Sequence, residues 1–246
     1  MPADQRIRTP SGKLTFLAWS ALLFLALIGL VAAIGRALFP ADLITRIEPV
    51  RSWIISSLGI TDPFAATRHA ELLHADGRFA GHPSFTMLHV IAGAALLMLA
   101  PLQLSRGFRD RHRTFHRWSG RLLIIAGVGS AVSAVMFGII IPYAGLGERL
   151  TITVITTWFL LALSTAWIAI RRRQVARHRE WMIRAVALAL SVSTIRLIAP
   201  ITDMAFTAAG VRPPVVFTIT LVLGSAITVL AAECWIRHTR PPATLS

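Results

Sequence analysis

Four side chains could carry chemistry: His89 and Arg196, each inside an apolar stretch, and His116 and His178, each at the basic start of one. An ionisable group inside a lipid-buried stretch is expensive, so each calls for a partner or a function. His116 and His178 each follow a run of arginines and open an apolar stretch. Histidines brought to equal depth on facing helices can supply both axial ligands to a haem iron. The neighbouring arginines would neutralise its propionates. No Cys-x-x-Cys-His sequence is present, so covalent attachment is excluded and any haem there would be haem b; the alternative is no cofactor. Gly120 and Gly93 stand four residues after His116 and His89. Each glycine leaves room for a flat macrocycle on that reading, and suits plain close packing of helices on the other.

His89 and Arg196 form a second group. His89 lies about four residues into its apolar stretch, roughly 6 Å below the edge at 1.5 Å per residue. Arg196 lies in the far half of a stretch running the opposite way, so the two sit at similar depth, with Met136 near that level. Pro200 has no N–H to offer the carbonyl of Arg196, and Asp203 follows two turns later on nearly the same face. These residues outline a polar pocket, suited to a second haem or a quinone. The plainer reading has Arg196 snorkelling to the headgroups and His89 bonding a neighbouring helix. His89 and His116 cannot share one haem, because their depths differ by more than about 20 Å.

The elements that must position these groups follow from composition. Of the 246 residues, 55% are apolar and 15% charged, against about 25% charged in soluble domains. Six stretches approach the roughly 20 apolar residues needed to cross a bilayer core. They are Leu14–Ile34, Phe85–Leu104, Leu122–Ile141, Ile152–Ile170, Met182–Ala205 and Val215–Trp235. Helices are expected because each segment must satisfy its own backbone, and nothing alternates in the manner of a membrane strand. The expected fold is therefore all-α, a polytopic bundle of six transmembrane helices forming a single membrane domain over residues 1–246. Residues 1–37 also resemble a signal peptide, but the apolar run is longer than the 7–15 residues of such signals. An uncleaved first helix is expected.

The net charge of +14 is a matter of topology. The amino-terminal tail, the second and fourth connections and the carboxyl tail hold 17 of the 25 basic residues. The positive-inside rule then places both termini in the cytoplasm, which six spans permit. Anionic lipid accounts for the basic surface, and nucleic acid is not expected as a partner. The lone Cys234 excludes an internal disulfide or a zinc site built on paired cysteines. Soluble-enzyme signatures are absent: no phosphate-binding glycine loop, no Gly-x-Ser-x-Gly elbow, no His-Glu-x-x-His helix. Carboxylates within the spans are too few for a proton pump built on them.

The long connection, 40–84, is expected on the extracytoplasmic side. Apolar residues from Leu43 to Leu58 recur at helical spacing and predict a short amphipathic helix lying on the membrane surface or capping the bundle. His69, His74 and His82 follow, at no tight ligand spacing, in what reads as a solvated polar loop. Pro213-Pro214 should open the last helix, and Glu233 with Arg237 should form an i,i+4 pair near its end. A faint echo links His116-Arg117-Trp118-Ser119-Gly120-Arg121 to His178-Arg179-Glu180-Trp181-Met182-Ile183-Arg184. It marks either a duplicated hairpin or the shared preference of Arg and Trp for interfaces.

Two stretches carry a resemblance. One runs from Phe85-Thr-Met-Leu-His89-Val-Ile-Ala-Gly93 through Pro101-Leu-Gln103 and Arg109 to His116-Arg117-Trp118-Ser119-Gly120-Arg121. The other runs from His178-Arg179-Glu180-Trp181-Met182-Ile183-Arg184 to Arg196. Over about residues 85–200 the chain resembles the predicted bacterial membrane proteins grouped as domain of unknown function 2306. That resemblance implies a multi-pass inner-membrane protein, with His89, His116, His178 and Arg196 at motif positions, and implies no activity. More distantly, the His-Arg-x-x-Gly start is similar to haem-bearing helices of 561-type cytochromes b. The chain departs from that pattern, since its fourth span has no histidine. The resulting expectation is a b-type haem redox component of the bacterial inner membrane, with lipids and a quinone or other redox partner around it. The alternatives are a non-redox transporter or small-molecule binder using the His89/Arg196 pocket, and an accessory membrane protein with no site.

Overall fold

A chain in hydrocarbon has no water to hydrogen-bond its backbone, and a helix answers that constraint within each segment. The computed structural model describes residues 11–40, 42–57, 59 and 65–240, and every regular element among them is helical. These are α1 (Gly12–Leu38), α2 (Leu43–Ser57), α3 (Ala65–Gly81), α4 (Pro83–Leu104), α5 (Arg106–Arg111) and α6 (Arg113–Val135), the last prolonged by a π turn (Met136–Ile140). Then come α7 (Leu146–Arg171), α8 (Val175–Ala208) and α9 (Pro213–Thr239). Among the described residues six helices are long and apolar enough to cross a membrane: α1, α4, α6 with its π turn, α7, α8 and α9. The protein is a multi-pass membrane protein, each span containing the apolar stretch read from sequence. Pro213 and Pro214 stand at the opening of α9, as expected.

The helices alternate in direction. α4 packs on α1, α6 and α8, α7 packs on α6 and α8, and α8 packs along α9. Helices α4, α6, α7 and α8 thus form a four-membered ring, in which α6 and α8 face each other across the diagonal. The ring is filled by Leu96 of α4, Leu123 and Ala131 of α6, Phe159, Ala162 and Ala166 of α7, and Met182, Ala185 and Leu188 of α8. Small residues let backbones approach where lipid gives helices no hydrophobic reason to associate. At Gly224 of α9 a Cβ would stand 3.0 Å from the backbone nitrogen of Ile195 in α8, so this crossing requires glycine.

The two ends of the bundle differ. One carries the arginines of α5 and of the α7–α8 turn, and is called here the basic end. Arg240, just after α9, is bonded to Glu180 near the start of α8, so α9 ends there. Arg36, near the end of α1, reaches α3 at the opposite, capped end. Both ends of the described chain therefore lie at the basic end.

The connection before α4 departs from the sequence reading. α2 does form where the amphipathic pattern placed it, and Ile47, Val50 and Trp53 leave one face open to the surroundings. Leu58 lies outside the described residues. The segment with His69 and His74, read as a solvated loop, is instead the helix α3, with His82 capping α4. It holds against the bundle by polar contacts. Asp76 is buried and ion-paired with Arg36. Arg78 donates to Ile141 O at 2.8 Å and lies 3.9 Å from Glu148. Phe79 stacks on Phe137, ring centroids 4.7 Å apart.

Candidate functional site

At the basic end, α6 and α8 begin alike. His116 and His178 are each the fourth residue of their helix, because each helix is preceded by a short turn. In each, a tryptophan is stacked under an arginine three residues later: Arg121 on Trp118 and Arg184 on Trp181, both 4.7 Å from the ring centroid. Since α6 and α8 run in the same direction across the ring diagonal, the two imidazoles come to one level and within electrostatic reach of each other and of Arg109. The structure brings together the pair that the sequence proposed.

The two rings are held differently. His178 Nδ1 lies 2.9 Å from Ala166 O. A carbonyl only accepts, so Nδ1 carries the hydrogen and Nε2 presents a lone pair. This is how metal-ligating histidines are usually oriented. His116 has its Nδ1 buried without a hydrogen-bond partner, an orphan in a setting where nearly all buried polar atoms are paired. Its backbone is fixed from α4, where Gln103 donates to His116 O at 3.1 Å and to Ser119 Oγ at 2.6 Å. The space left by Gly120 is taken by this same amide, which would stand 3.2 Å from a Cβ there. Gly120 therefore serves the α4–α6 contact, whereas beside Gly93 nothing lies within 4 Å of a would-be Cβ. Arg179 donates to Thr239 of α9 at 2.9 Å and shares the field of Arg106 and Arg109. The carboxylate of Glu233 is held bidentately by Arg184, at 2.5 and 3.0 Å, with Arg237 contributing its nearby charge. The i,i+4 pairing expected on α9 thus gives way to a cross-helix one, because α8 presents a guanidinium fork at the right height.

At the capped end, His89 and Arg196 are also neighbours, within electrostatic reach. His89 Nδ1 lies 3.0 Å from Ser133 Oγ of α6. The serine hydroxyl is directed back to Gly129 O and Ser130 O, at 3.0 and 2.9 Å. With the hydroxyl turned to these carbonyls, Nδ1 is assigned as the donor to Ser133 Oγ, in keeping with the bond of the His89 ring to the Ser130 backbone. His89 Nε2 is left as a bare acceptor. Arg196 donates to Val192 O of its own helix at 2.9 Å, and its side chain is otherwise exposed. Arg36 lies within electrostatic reach of it.

Above this pair sits the network that holds α3, which sequence reasoning missed. Burial lowers the Arg78 guanidinium from its ordinary value, against the opposing charge of Glu148. Burial first, and then its bond to Glu71, raise the Tyr143 phenol above its usual range, so Tyr143 is the donor to Glu71. The loop histidines are dispersed among other partners: His69 lies 3.7 Å from Glu48, His74 packs on the Tyr143 ring, and His82 Nδ1 lies 3.1 Å from Arg78 O. Among the described residues no three His, Cys, Asp or Glu side chains converge as a metal site.

The family described as "Predicted membrane protein (DUF2306)" matches residues 86–236, which covers every helix from α4 to α9 and all four side chains singled out above. No curated protein and no solved structure matches the chain.

Proposed function

The chain belongs to the DUF2306 family of predicted membrane proteins, and from that premise we propose that it is a membrane redox component holding one b-type haem between His116 and His178. The observation that carries this reading is the pair itself: two imidazoles at one level across the diagonal of a four-helix ring, one anchored through Nδ1 and one with an orphaned buried nitrogen. A closed bis-imidazole set needs no third ligand, so the donor set fits the group.

His178 would present Nε2, fixed in direction by its bond to Ala166 O. His116 would find the partner its ring lacks, with Gln103 holding the helix start in place. Arg109, with Arg106 and Arg179 in its field, would pair with the carboxylates of the bound group. The haem would supply one-electron oxidation and reduction at its iron. The positive-inside rule supports a cytoplasmic basic end and a bacterial inner-membrane setting, and a quinone or another redox protein would be the exchange partner.

The test is an absorption spectrum of the full chain, purified in detergent from haem-replete cells. A Soret band with reduced-state α and β bands is expected, lost in both His116→Ala and His178→Ala while the helical content stays unchanged. A colourless, iron-free preparation overturns the proposal, as does colour that persists in both variants.

A further inference from the structure

The capped end brings together the guanidiniums of Arg36, Arg78 and Arg196. Arg36 has Asp76 as its counter-ion, and Arg78 lies beside Glu148. Arg196 has none: among the described residues no carboxylate lies within ion-pair distance of it. A guanidinium offers five N–H donors, and Arg196 engages one acceptor, the carbonyl of Val192. The remaining donors are exposed on the bundle at the level of His89, where hydrocarbon satisfies nothing. Its neighbour Arg36 adds positive potential instead of relieving it.

The second observation is the tautomer of His89. With Nδ1 committed to Ser133, Nε2 is a pure acceptor, and among the described residues no protein donor reaches it. The pair thus offers strong donors for an anionic oxygen and, beside them, one acceptor for an O–H. On the same side α3 brings Asp76 to Arg36 as its ion-pair partner, and Phe79, whose ring centroid lies 5.2 Å from the Arg36 guanidinium. Arg196 is exposed on a spanning helix, so a ligand would reach it from the bilayer.

We infer that this pair binds the headgroup of an acidic phospholipid from the leaflet on the capped side, with an anionic phosphate oxygen on Arg196 and an O–H of the same headgroup donating to His89 Nε2. The simplest lipids with that chemistry are phosphatidylglycerol, whose hydroxyls are on glycerol, and phosphatidic acid, whose monoanion keeps a phosphate O–H. Phosphatidylcholine carries a phosphate but neither an O–H nor a net negative charge. The site is independent of the haem reading and uses none of its residues.

The experiment is native mass spectrometry of the full chain from nanodiscs of phosphatidylcholine doped with either phosphatidylglycerol or phosphatidic acid. Wild type should retain one acidic lipid after phosphatidylcholine has dissociated, and the arm that gives it identifies the source. Arg196→Gln should weaken that retention at least about tenfold, as expected for a lost charge-assisted contact. Arg196→Lys should weaken it less, and Arg111→Gln, at the basic end, not at all. His89→Leu should abolish the preference for the O–H-bearing lipid over an acidic lipid with a fully esterified, hydroxyl-free headgroup. His116→Ala/His178→Ala protein should bind as wild type does. Wild type that retains neither acidic lipid over phosphatidylcholine overturns the inference, and so does equal retention by Arg196→Gln. The wild-type comparison stands even if a variant fails to fold.

Discussion

The ion pair between Arg36 and Asp76 fastens α3 to the end of α1, and replacing Asp76 by Asn measures how much. Both side chains are largely hidden, 14% and 5% exposed. Removing one partner of a buried pair leaves the other charge uncompensated and typically destabilises by about 3–5 kcal/mol. This pair lies near the end of the bundle, where relaxation is easier, so about 3 kcal/mol is the appropriate figure, roughly a hundredfold in an opening equilibrium. Repulsion acts in the same direction, because without Asp76 the Arg36 charge near Arg196 is no longer balanced. The loss should be local, since the ring of α4, α6, α7 and α8 is filled without help from α3. Hydrogen exchange followed by mass spectrometry would therefore show faster exchange in peptides from 65–81, with those from α7 unchanged. Arg36→Gln together with Asp76→Asn should recover part of the protection, because no buried charge is then left alone. Unchanged exchange in Asp76→Asn would mean that α3 is held by its apolar contacts and that the ionic account of the cap is wrong.

Gly224→Leu should separate α8 from α9 by driving a side chain into Ile195, costing at least about 1–3 kcal/mol, read as a lower unfolding midpoint in detergent. Glu233→Gln should weaken the same interface by about 1–3 kcal/mol through loss of a charged bidentate contact, and the same melts would show it. The Tyr143 phenol is raised in the folded protein, so its contribution is complete below pH 10 and declines as pH rises toward the folded value. Protection of α3 should accordingly fall in strong alkali, and Tyr143→Phe should flatten that part of the profile.

The spanning helices were legible because hydropathy reports directly on the solvent a segment folds in. α3 was not, because its composition is too polar for that signal. Its helix formers, Ala65-Ala66, Ala70-Glu71-Leu72-Leu73 and Ala75, were a cue of a different kind. The proximity within the two pairs was legible for a geometric reason. Counting residues from each span's edge puts His116 level with His178, and His89 level with Arg196, and the alternation of helix direction preserves those levels. What counting could not supply was the lateral order of helices. Arg36 finds Asp76 forty residues away, and Glu233 takes Arg184 instead of Arg237, because α1 meets α3 and α9 lies along α8. Gly120 teaches the same lesson at one residue: the room it leaves is real, but Gln103 from α4 occupies it.

The π turn at Met136–Ile140 sets a constraint of its own. Such a turn carries one residue more than α-geometry would, and each residue advances a helix by about 100°. Deleting a single residue there would let α6 run on as ordinary helix and remain comfortably apolar. It would also swing Phe137 from beneath Phe79 and carry Ile141 O away from Arg78. The surplus residue works as an angular shim between two parts of the molecule: length in this stretch is free to the membrane but fixed by the lid.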